Sequence, residues 1–230
     1  MNFLPSAASK IRGSLILVVA LGLMVSQANA VCISALEVTV QVTLLETRSG
    51  KGLRDYSEVV VWLVPVHTLR PVSLNGGSPP YRMMQQNKMF EPRLLVVPVG
   101  SVIEFRNRDP WFHNAFSLSN GMRFDLGPNR PGVQKAVRFD RPGAAYVFCD
   151  IHPQMAAVIL AVDSPYFGVS DKTGHISIGN VPPGTYFVHV WYENAASQPL
   201  EALQRTVVLN GEHRNKPKIF IALAKRAPSN

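Results

Sequence analysis

The run Cys149-Asp-Ile-His152-Pro-Gln-Met155 brings a thiol, an imidazole and a thioether together in one short stretch of the chain. A second imidazole, that of His113, lies upstream in the segment Asn107-Arg-Asp-Pro-Trp-Phe-His113-Asn114. Thiolate and thioether ligands favour Cu(I), whereas imidazole accepts both Cu(I) and Cu(II), so the four side chains suit copper that changes its oxidation state. Zinc rarely recruits a thioether and suits this set less well.

Apolar stretches flank the four side chains and predict β-strands. They are Val102-Ile-Glu-Phe105 before His113, Ala144-Ala-Tyr-Val-Phe148 before Cys149, and Ala156-Ala-Val-Ile-Leu-Ala-Val162 after Met155. A ligand that follows one strand can meet ligands at the end of another strand only if the two strands are neighbours. The sequence therefore predicts a metal site on loops at one end of a β-sandwich.

Strand patterns continue upstream of this region, and no long stretch has a helical period. The segment Leu36-Glu-Val-Thr-Val-Gln-Val-Thr-Leu44 alternates apolar and polar residues throughout, which is typical of a strand with one buried face. A second strand is predicted at Glu58-Val-Val-Val-Trp-Leu-Val64. Residues 71–81 hold the densest cluster of turn-forming residues and are predicted to be a linker or flexible loop.

Beyond Asp163, short strands alternate with turns. A strand is predicted at His175-Ile-Ser-Ile178, and the predicted turn Val181-Pro-Pro-Gly-Thr-Tyr186 leads into the strand Phe187-Val-His-Val-Trp191. Two further strands are expected at residues 205–209 and 218–223. They are joined through Asn210-Gly211, a dipeptide that favours hairpin turns, so the two strands are expected to pair.

The N-terminal segment has the features of a secretory signal peptide. Lys10 and Arg12 supply positive charge, residues 15–25 are apolar, and Ala28-Asn-Ala30 offers small residues for cleavage, so the mature chain is expected to begin at Val31. No apolar stretch reaches the roughly 20 residues that a membrane-spanning helix requires. We therefore expect a soluble protein that is exported to the periplasm.

The formal net charge of +8 falls to +6 once Lys10 and Arg12 are removed with the signal peptide, which contains no acidic residue. A mildly basic surface can attract an acidic protein partner or an anionic membrane surface. Nucleic acid is the poorest fit, because the basic residues are scattered and are not interleaved with aromatic residues in one motif.

We do not expect an enzyme. The sequence lacks a Ser/His/Asp order, a pair of glutamates and a glycine-rich phosphate loop, which are motifs of hydrolysis and phosphoryl transfer.

Residues from about Met84 to Asp163 resemble a cupredoxin domain, the fold of plastocyanin, pseudoazurin and amicyanin. The Cys-x-x-His-x-x-Met spacing of residues 149–155 is closest to that of amicyanin. The segments that resemble the opening strands of the family are Phe90-Glu-Pro92, Val97-Pro-Val-Gly100 and Val102-Ile-Glu-Phe-Arg-Asn107. This resemblance implies one-electron transfer between periplasmic redox partners through a single type 1, or blue, copper ion. The ligands that it implies are His113, Cys149, His152 and Met155.

The same resemblance implies roles for residues around the copper ion. Asn114 would hydrogen-bond around the site, and His152, with Pro153 beside it, would be the exposed edge through which electrons pass. Trp111 and Phe112 either contribute to an apolar docking patch at this edge or belong to the core.

The residues beyond Asp163 resemble a carboxypeptidase regulatory-like or transthyretin-like β-sandwich, in which an Asp-x-x-Gly turn, a short strand and a Pro-Pro-Gly-Thr-Tyr turn recur. Residues 35–66 resemble the first two strands of that family, which predicts that the cupredoxin domain is inserted between two halves of the sandwich. In the rival arrangement the N-terminal strands extend the cupredoxin, and Val40 or Val61 has few contacts with Val188. The combined order is similar to that of exported proteins described as methylamine-utilisation or plastocyanin-like.

The predicted fold is therefore all-β, with a Greek-key cupredoxin sandwich and a second, small β-sandwich after a cleaved signal peptide. The expected divisions are a signal peptide at residues 1–30, N-terminal strands at 31–70, a linker at 71–81, the cupredoxin domain at 82–163 and the rest of the second sandwich at 164–230.

Three alternatives to a blue-copper electron carrier stay open at this point. A periplasmic protein that carries or sequesters copper would use the same ligands but would have to exchange the metal. A structural β-sandwich that serves as a binding surface would need no copper. Finally, Cys149 could form a disulfide with Cys32, since two cysteines of an exported chain can pair.

Overall fold

The computed structural model describes residues 35–46, 55–67, 80–119, 122–195, 205–210 and 218–225. As predicted, this part of the chain is all-β, with sixteen strands. None of the described residues forms a helix with the length and apolar character needed to cross a membrane. The predicted signal peptide, Cys32 and residues 71–79 of the predicted linker lie outside the described residues.

The strands are named in chain order. They are β1 (Leu36–Glu46), β2 (Val60–Pro65), β3 (Tyr81–Gln86), β4 (Met89–Glu91), β5 (Leu94–Pro98), β6 (Ser101–Asn107), β7 (Phe116–Ser119), β8 (Met122–Asp125), β9 (Gln134–Phe139), β10 (Gly143–Phe148), β11 (Ala156–Val162), β12 (Phe167–Val169), β13 (His175–Val181), β14 (Gly184–Trp191), β15 (Arg205–Leu209) and β16 (Lys218–Lys225).

Seven strands from the two ends of the described chain form one β-sandwich, here called the outer sandwich. One of its sheets has the strand order β13-β1-β16, and the other has the order β12-β2-β14-β15. In β1 the side chains of Val38, Val40, Val42 and Leu44 are fully buried, whereas the residues between them are less so. The alternation read from the sequence therefore gives β1 one apolar face, which packs against the facing sheet in a shared core.

The outer sandwich takes strands from before and after residues 80–163. β2 pairs antiparallel with β14, where Val61 lies opposite Val190 and Leu63 lies opposite Val188. The chain thus leaves the outer sandwich after β2 and returns to it at β12. The rival arrangement, with few contacts between the N-terminal strands and this part of the chain, is not observed.

The nine strands from β3 to β11 form a separate β-sandwich, here called the inner sandwich. Its sheets have the strand orders β4-β3-β6-β9 and β5-β11-β10-β7-β8. The fully buried side chains of its core include Met83, Ile103, Phe105, Phe139 and Ile159. Because β3 begins at Tyr81, the last residue of the predicted linker belongs to a strand.

An apolar seam joins the two sandwiches. Its buried centre consists of Val60, Val96, Leu160 and Val162. This seam explains why β11 is apolar along its whole length, since alternate residues of the strand face the inner core and the outer sandwich. At the margin of the seam Arg93 forms ion pairs with Glu58 and Glu193. Such partly exposed pairs contribute about 1 kcal/mol or less, so the apolar burial dominates the attachment.

One local turn prediction is wrong, and another extends too far along the chain. β15 pairs with β14 in one sheet, whereas β16 pairs in parallel with β1 in the other, so Asn210-Gly211 does not join a hairpin. The pairing with β1 buries Ile221 in the outer core, and this long-range burial outweighs the local turn preference. Residues 184–186 were expected to be a turn but belong to β14, because the ring of Tyr186 packs into the same core and its hydroxyl donates to the carbonyl of Pro182 at 2.6 Å.

The turn between β12 and β13 offers a test of close backbone packing. Gly174 has a φ of +81°, and a Cβ atom there would overlap the carbonyl oxygen of Val42. We expect Gly174→Ala to lower the free energy of unfolding by roughly 3 kcal/mol or more, because a backbone clash adds to the strain of a left-handed conformation. Gly132→Ala is the matched control, since Gly132 has a φ of +76° and open space around it, and should cost about 1 kcal/mol. Equal losses in urea denaturation would contradict this account.

Candidate metal centre

The β10–β11 hairpin directs Cys149 and Met155 toward the inner core. Phe148 pairs with Ala156 at the end of the ladder. The loop beyond it is closed by hydrogen bonds from the Cys149 amide to the Met155 carbonyl at 3.3 Å and from the Met155 amide to the His152 carbonyl at 2.9 Å. Because side chains alternate along a strand, both side chains point inward, and they are only 3% and 1% exposed.

His113 reaches the same region from the loop between β6 and β7. Its backbone exchanges two hydrogen bonds with that of Asn129, at 3.1 and 2.6 Å. The buried Asn107 side chain shapes the loop, since its Oδ1 accepts from the Asp109 amide at 2.9 Å and its Nδ2 donates to the carbonyls of Trp111 and Asn129 at 2.7 and 2.9 Å. These bonds hold the His113 side chain in a fully buried position.

Three of the four predicted ligands come together with their donor atoms facing one another. The Nδ1 atoms of His113 and His152 are 3.1 Å apart, and Sγ of Cys149 is 4.0 Å from Nδ1 of His152. No two of the three donor atoms are more than 4.8 Å apart. Metal bonds of about 2.0–2.3 Å bring the donors around one ion to roughly 3–4 Å from each other, so the spacing of these three atoms is close to that required by a single ion. Met155 lies in the same buried core as Cys149.

The thiol of Cys149 is free in the described part of the chain. Cys32, its possible disulfide partner in the sequence, lies outside the described residues. The backbone amide of Asn114 points at the Cys149 sulfur from 3.4 Å. The side chain of Asn114 is used locally, since its Oδ1 accepts from the Ala115 amide at 2.7 Å. Asn114 therefore hydrogen-bonds to the site through its main chain, and the thiol is available as a ligand.

Asp109 was not among the predicted site residues, although it lies four residues before His113. Its Oδ2 is 2.8 Å from Nε2 of His113, on the side of the ring away from the donor cluster. The same carboxylate accepts the backbone N–H groups of Asn87 and Lys88, each at 2.8 Å. Burial alone would raise the pKa of Asp109, but the hydrogen bonds from Lys88, His113 and Asn87 outweigh it and lower the pKa below its ordinary value.

The environment of His152 favours its neutral form. Burial lowers the pKa of His152, and the nearby charges of His113 and Lys88 lower it further, while Asp109 partly offsets them. A neutral imidazole keeps the lone pair that binds a metal. The direction of the pKa shift therefore supports ligation at neutral pH.

A buried amide network supports the ligand loop. Nε2 of Gln85, on β3, donates to the carbonyl of Asn114 at 3.0 Å, and Oε1 of Gln85 accepts from Nδ2 of Asn129 at 2.8 Å. All three residues are buried. The network links β3 to Asn129, which pairs with His113, and to Asn114, which contacts Cys149. Breaking these hydrogen bonds inside the core would be costly, so the network stabilises the ligand loop.

Large apolar side chains next to the ligands in the sequence are exposed. Trp111 is 49% exposed, Phe112 is 48% exposed and Ile151 is 46% exposed. Trp111 and Phe112 therefore do not belong to the core, which was one of the two possibilities left by the sequence. Lys88 lies over the Trp111 ring, with its Nζ 5.1 Å from the ring centroid.

No protein-family model matches the chain, and no curated protein matches its sequence. Parts of it are similar to solved structures of copper proteins. A copper-containing nitrite reductase from Thermus scotoductus SA-01 is 24% identical, with a TM-score of 0.37, over 41% of this chain and 26% of its own length, so the chain spans about a quarter of that protein.

Two smaller proteins give comparable matches. A purple cupredoxin from Nitrosopumilus maritimus is 21% identical, with a TM-score of 0.33, over 36% of this chain and 99% of its own. A variant of amicyanin in its Cu(I) form is 16% identical, with a TM-score of 0.35, over 36% of this chain and 82% of its own. At such low TM-scores the likeness says nothing about the roles of individual residues.

The buried amide network can be tested by removing its central member. We expect Gln85→Leu to lower the free energy of unfolding by roughly 2–4 kcal/mol, because the Asn129 side-chain amide and the Asn114 carbonyl would each lose a hydrogen bond inside the core. The neighbouring Gln86, which is partly exposed on the same strand, supplies the control Gln86→Leu, expected to change stability by about 0.5 kcal/mol or less. Chemical denaturation of the metal-free variants measures both. Similar midpoints for the two would show that the network is dispensable.

Proposed function

We propose that this protein carries single electrons through one type 1 copper ion held by His113, Cys149, His152 and Met155. The observation that supports this most strongly is the burial of the cluster. Three of the four side chains are almost fully buried, and only His152 is partly exposed. A closed site of this kind disfavours exchange of the metal, which a copper carrier would require, yet leaves one ligand edge near the surface for contact with a partner.

The donor set fits copper better than other metals. A thiolate and a thioether are soft ligands that favour Cu(I), and two imidazoles accept both oxidation states. Among the described residues, the carboxylate that contacts the cluster is that of Asp109, and it already accepts hydrogen bonds from three N–H groups. The hard oxygen ligands that magnesium and calcium prefer are therefore not part of the cluster that these residues form. When bound, copper would supply a one-electron couple between its +1 and +2 states.

In this function the protein restricts the movement of the ligand side chains. The closed β10–β11 loop holds Cys149, the Asn114 amide contacts its sulfur, and the Asp109 carboxylate contacts the far side of the His113 ring. Ligands held by independent contacts move little when the charge of the centre changes. Little rearrangement then accompanies electron gain or loss.

We further propose that a redox protein docks over His152 and the adjacent Pro153. The exposed side chains of Trp111, Phe112 and Ile151 would form the apolar part of this surface. The net positive charge of the chain favours an acidic partner. In this proposal the protein is exported to the periplasm and is a carrier rather than an enzyme.

For the architecture, we propose that the inner sandwich is a cupredoxin domain and that the outer sandwich is of the carboxypeptidase regulatory-like or transthyretin-like kind. The insertion of β3–β11 between β2 and β12 supports this order. It is the order of the exported methylamine-utilisation or plastocyanin-like proteins that the sequence resembles.

The decisive experiment is to add Cu(II) to the purified chain from Val31 to Asn230 and to record visible absorption and electron paramagnetic resonance spectra. An intense blue or green charge-transfer band with narrow copper hyperfine splitting is the expected result. A pale, ordinary Cu(II) spectrum with rapid loss of copper to a chelator would instead favour copper carriage. Failure of the folded, reduced protein to bind copper would leave a structural role.

Single substitutions test the ligand assignment. Cys149→Ser should abolish the intense band while the fold is retained, because the band requires the thiolate. Met155→Leu should keep a coloured site but change its reduction potential, because a thioether ligand tunes the couple. Met83→Leu makes the same change at another buried methionine of the inner core and should leave the potential nearly unaltered. An unchanged band in Cys149→Ser, or equal potentials in the two leucine variants, would refute the assignment.

A further inference from the structure

The carboxylate of Asp109 is buried and is bonded only by N–H donors. It is 7% exposed and receives hydrogen bonds from the His113 ring and from two backbone amides, all at 2.8 Å. Among the described residues it makes no ion pair with lysine or arginine. A buried anion is costly unless positive charge lies near it. The donor cluster, where a bound metal ion would add positive charge, lies on the other side of the His113 ring.

The turn between β3 and β4 holds this carboxylate in place. Its two residues, Asn87 and Lys88, have φ values of 54° and 56°, a left-handed conformation that suits tight hairpins. In this conformation their successive N–H groups point at the same side chain, one at each carboxylate oxygen. The backbone of Asp109 is fixed separately by the Asn107 side chain. The position of the carboxylate is therefore set by protein contacts alone.

The contact with His113 has a direct chemical consequence. A carboxylate that accepts from Nε2 requires the proton of a neutral imidazole to be on that nitrogen. The lone pair is then on Nδ1, which is the atom that faces His152 and the Cys149 sulfur. A negative charge one ring away from the metal also favours the more positive of two metal oxidation states.

We propose that Asp109 is a positioning residue that fixes the orientation and tautomer of His113 and biases the centre toward Cu(II). The part that concerns copper rests on the function proposed above, whereas the tautomer can be tested without any metal.

The first test is nitrogen-15 NMR of the metal-free, reduced protein. His113 should be the Nε2–H tautomer, with a ring proton that exchanges slowly because both His113 and Asp109 are buried. The Nδ1–H tautomer, or a rapidly exchanging mixture of the two, would overturn the proposal. This measurement stands even if a substitution at Asp109 prevents folding or if the protein binds no copper.

The second test compares Asp109→Asn with Asp150→Asn. An asparagine keeps the shape of the side chain but lacks its negative charge. Its amide NH2 group would also face one of the N–H groups that donate to Asp109, so that hydrogen bond would be lost. We expect the affinity for Cu(II) to fall ten- to a hundredfold, with a smaller loss for Cu(I). The reduction potential should then rise by about 59 mV for each tenfold difference between the two losses.

Asp150 is the matched control because it adjoins Cys149 but is exposed, so its substitution removes the same charge without touching a ligand. Its potential should shift much less than that of Asp109→Asn. Equal shifts for the two variants would mean that only overall charge matters, and the positioning role would be refuted. A wild-type protein without a blue-copper spectrum would refute the proposed function instead, and the NMR result would then decide the structural part alone.

Discussion

The antiparallel pairing of β10 with β11 is the constraint on which the rest of the inner sandwich depends. Since side chains alternate along a strand, the pair formed by Phe148 and Ala156 determines that Cys149 and Met155 face the core. A slip of one residue would turn both side chains to solvent. The register is protected because β11 is buried on both faces, by the inner core on one side and by the outer sandwich on the other. The outer sandwich thus supports the donor cluster through its packing on β11.

The surroundings of the cluster combine two kinds of packing. Apolar side chains from both inner sheets exclude water, while Asn107, Gln85 and Asn129 satisfy the backbone groups of a loop that has no ladder partner for most of its length. Buried hydrogen bonds of this kind favour one arrangement, because a shift of the loop would break them inside the core. Apolar packing alone would allow the loop that holds His113 to shift.

The sequence predicted those features that depend on local periodicity and on side-chain chemistry. The alternation in β1, the uninterrupted apolar run of β11 and the convergence of His113 with the segment from Cys149 onward all follow from residue type and spacing. The sequence did not predict Asp109 as a site residue, because its position depends on hydrogen bonds from Asn87 and Lys88, whose turn is distant in the sequence. The pairing of β16 was missed for the opposite reason, since a strong local signal at Asn210-Gly211 was overridden by burial against β1.

The insertion of one sandwich within the other also orders the folding of the chain. All strands of the inner sandwich lie in the continuous stretch from β3 to β11, so they can pair as soon as that stretch is available. The outer sandwich cannot be completed until β16 is available, because Val42 of β1 pairs with Ile221 of that strand. Closing so long a loop costs more entropy and is slow. The donor cluster can therefore assemble before the last strand is added, whereas the edge of β1 stays unpaired and open to misassembly until β16 pairs with it.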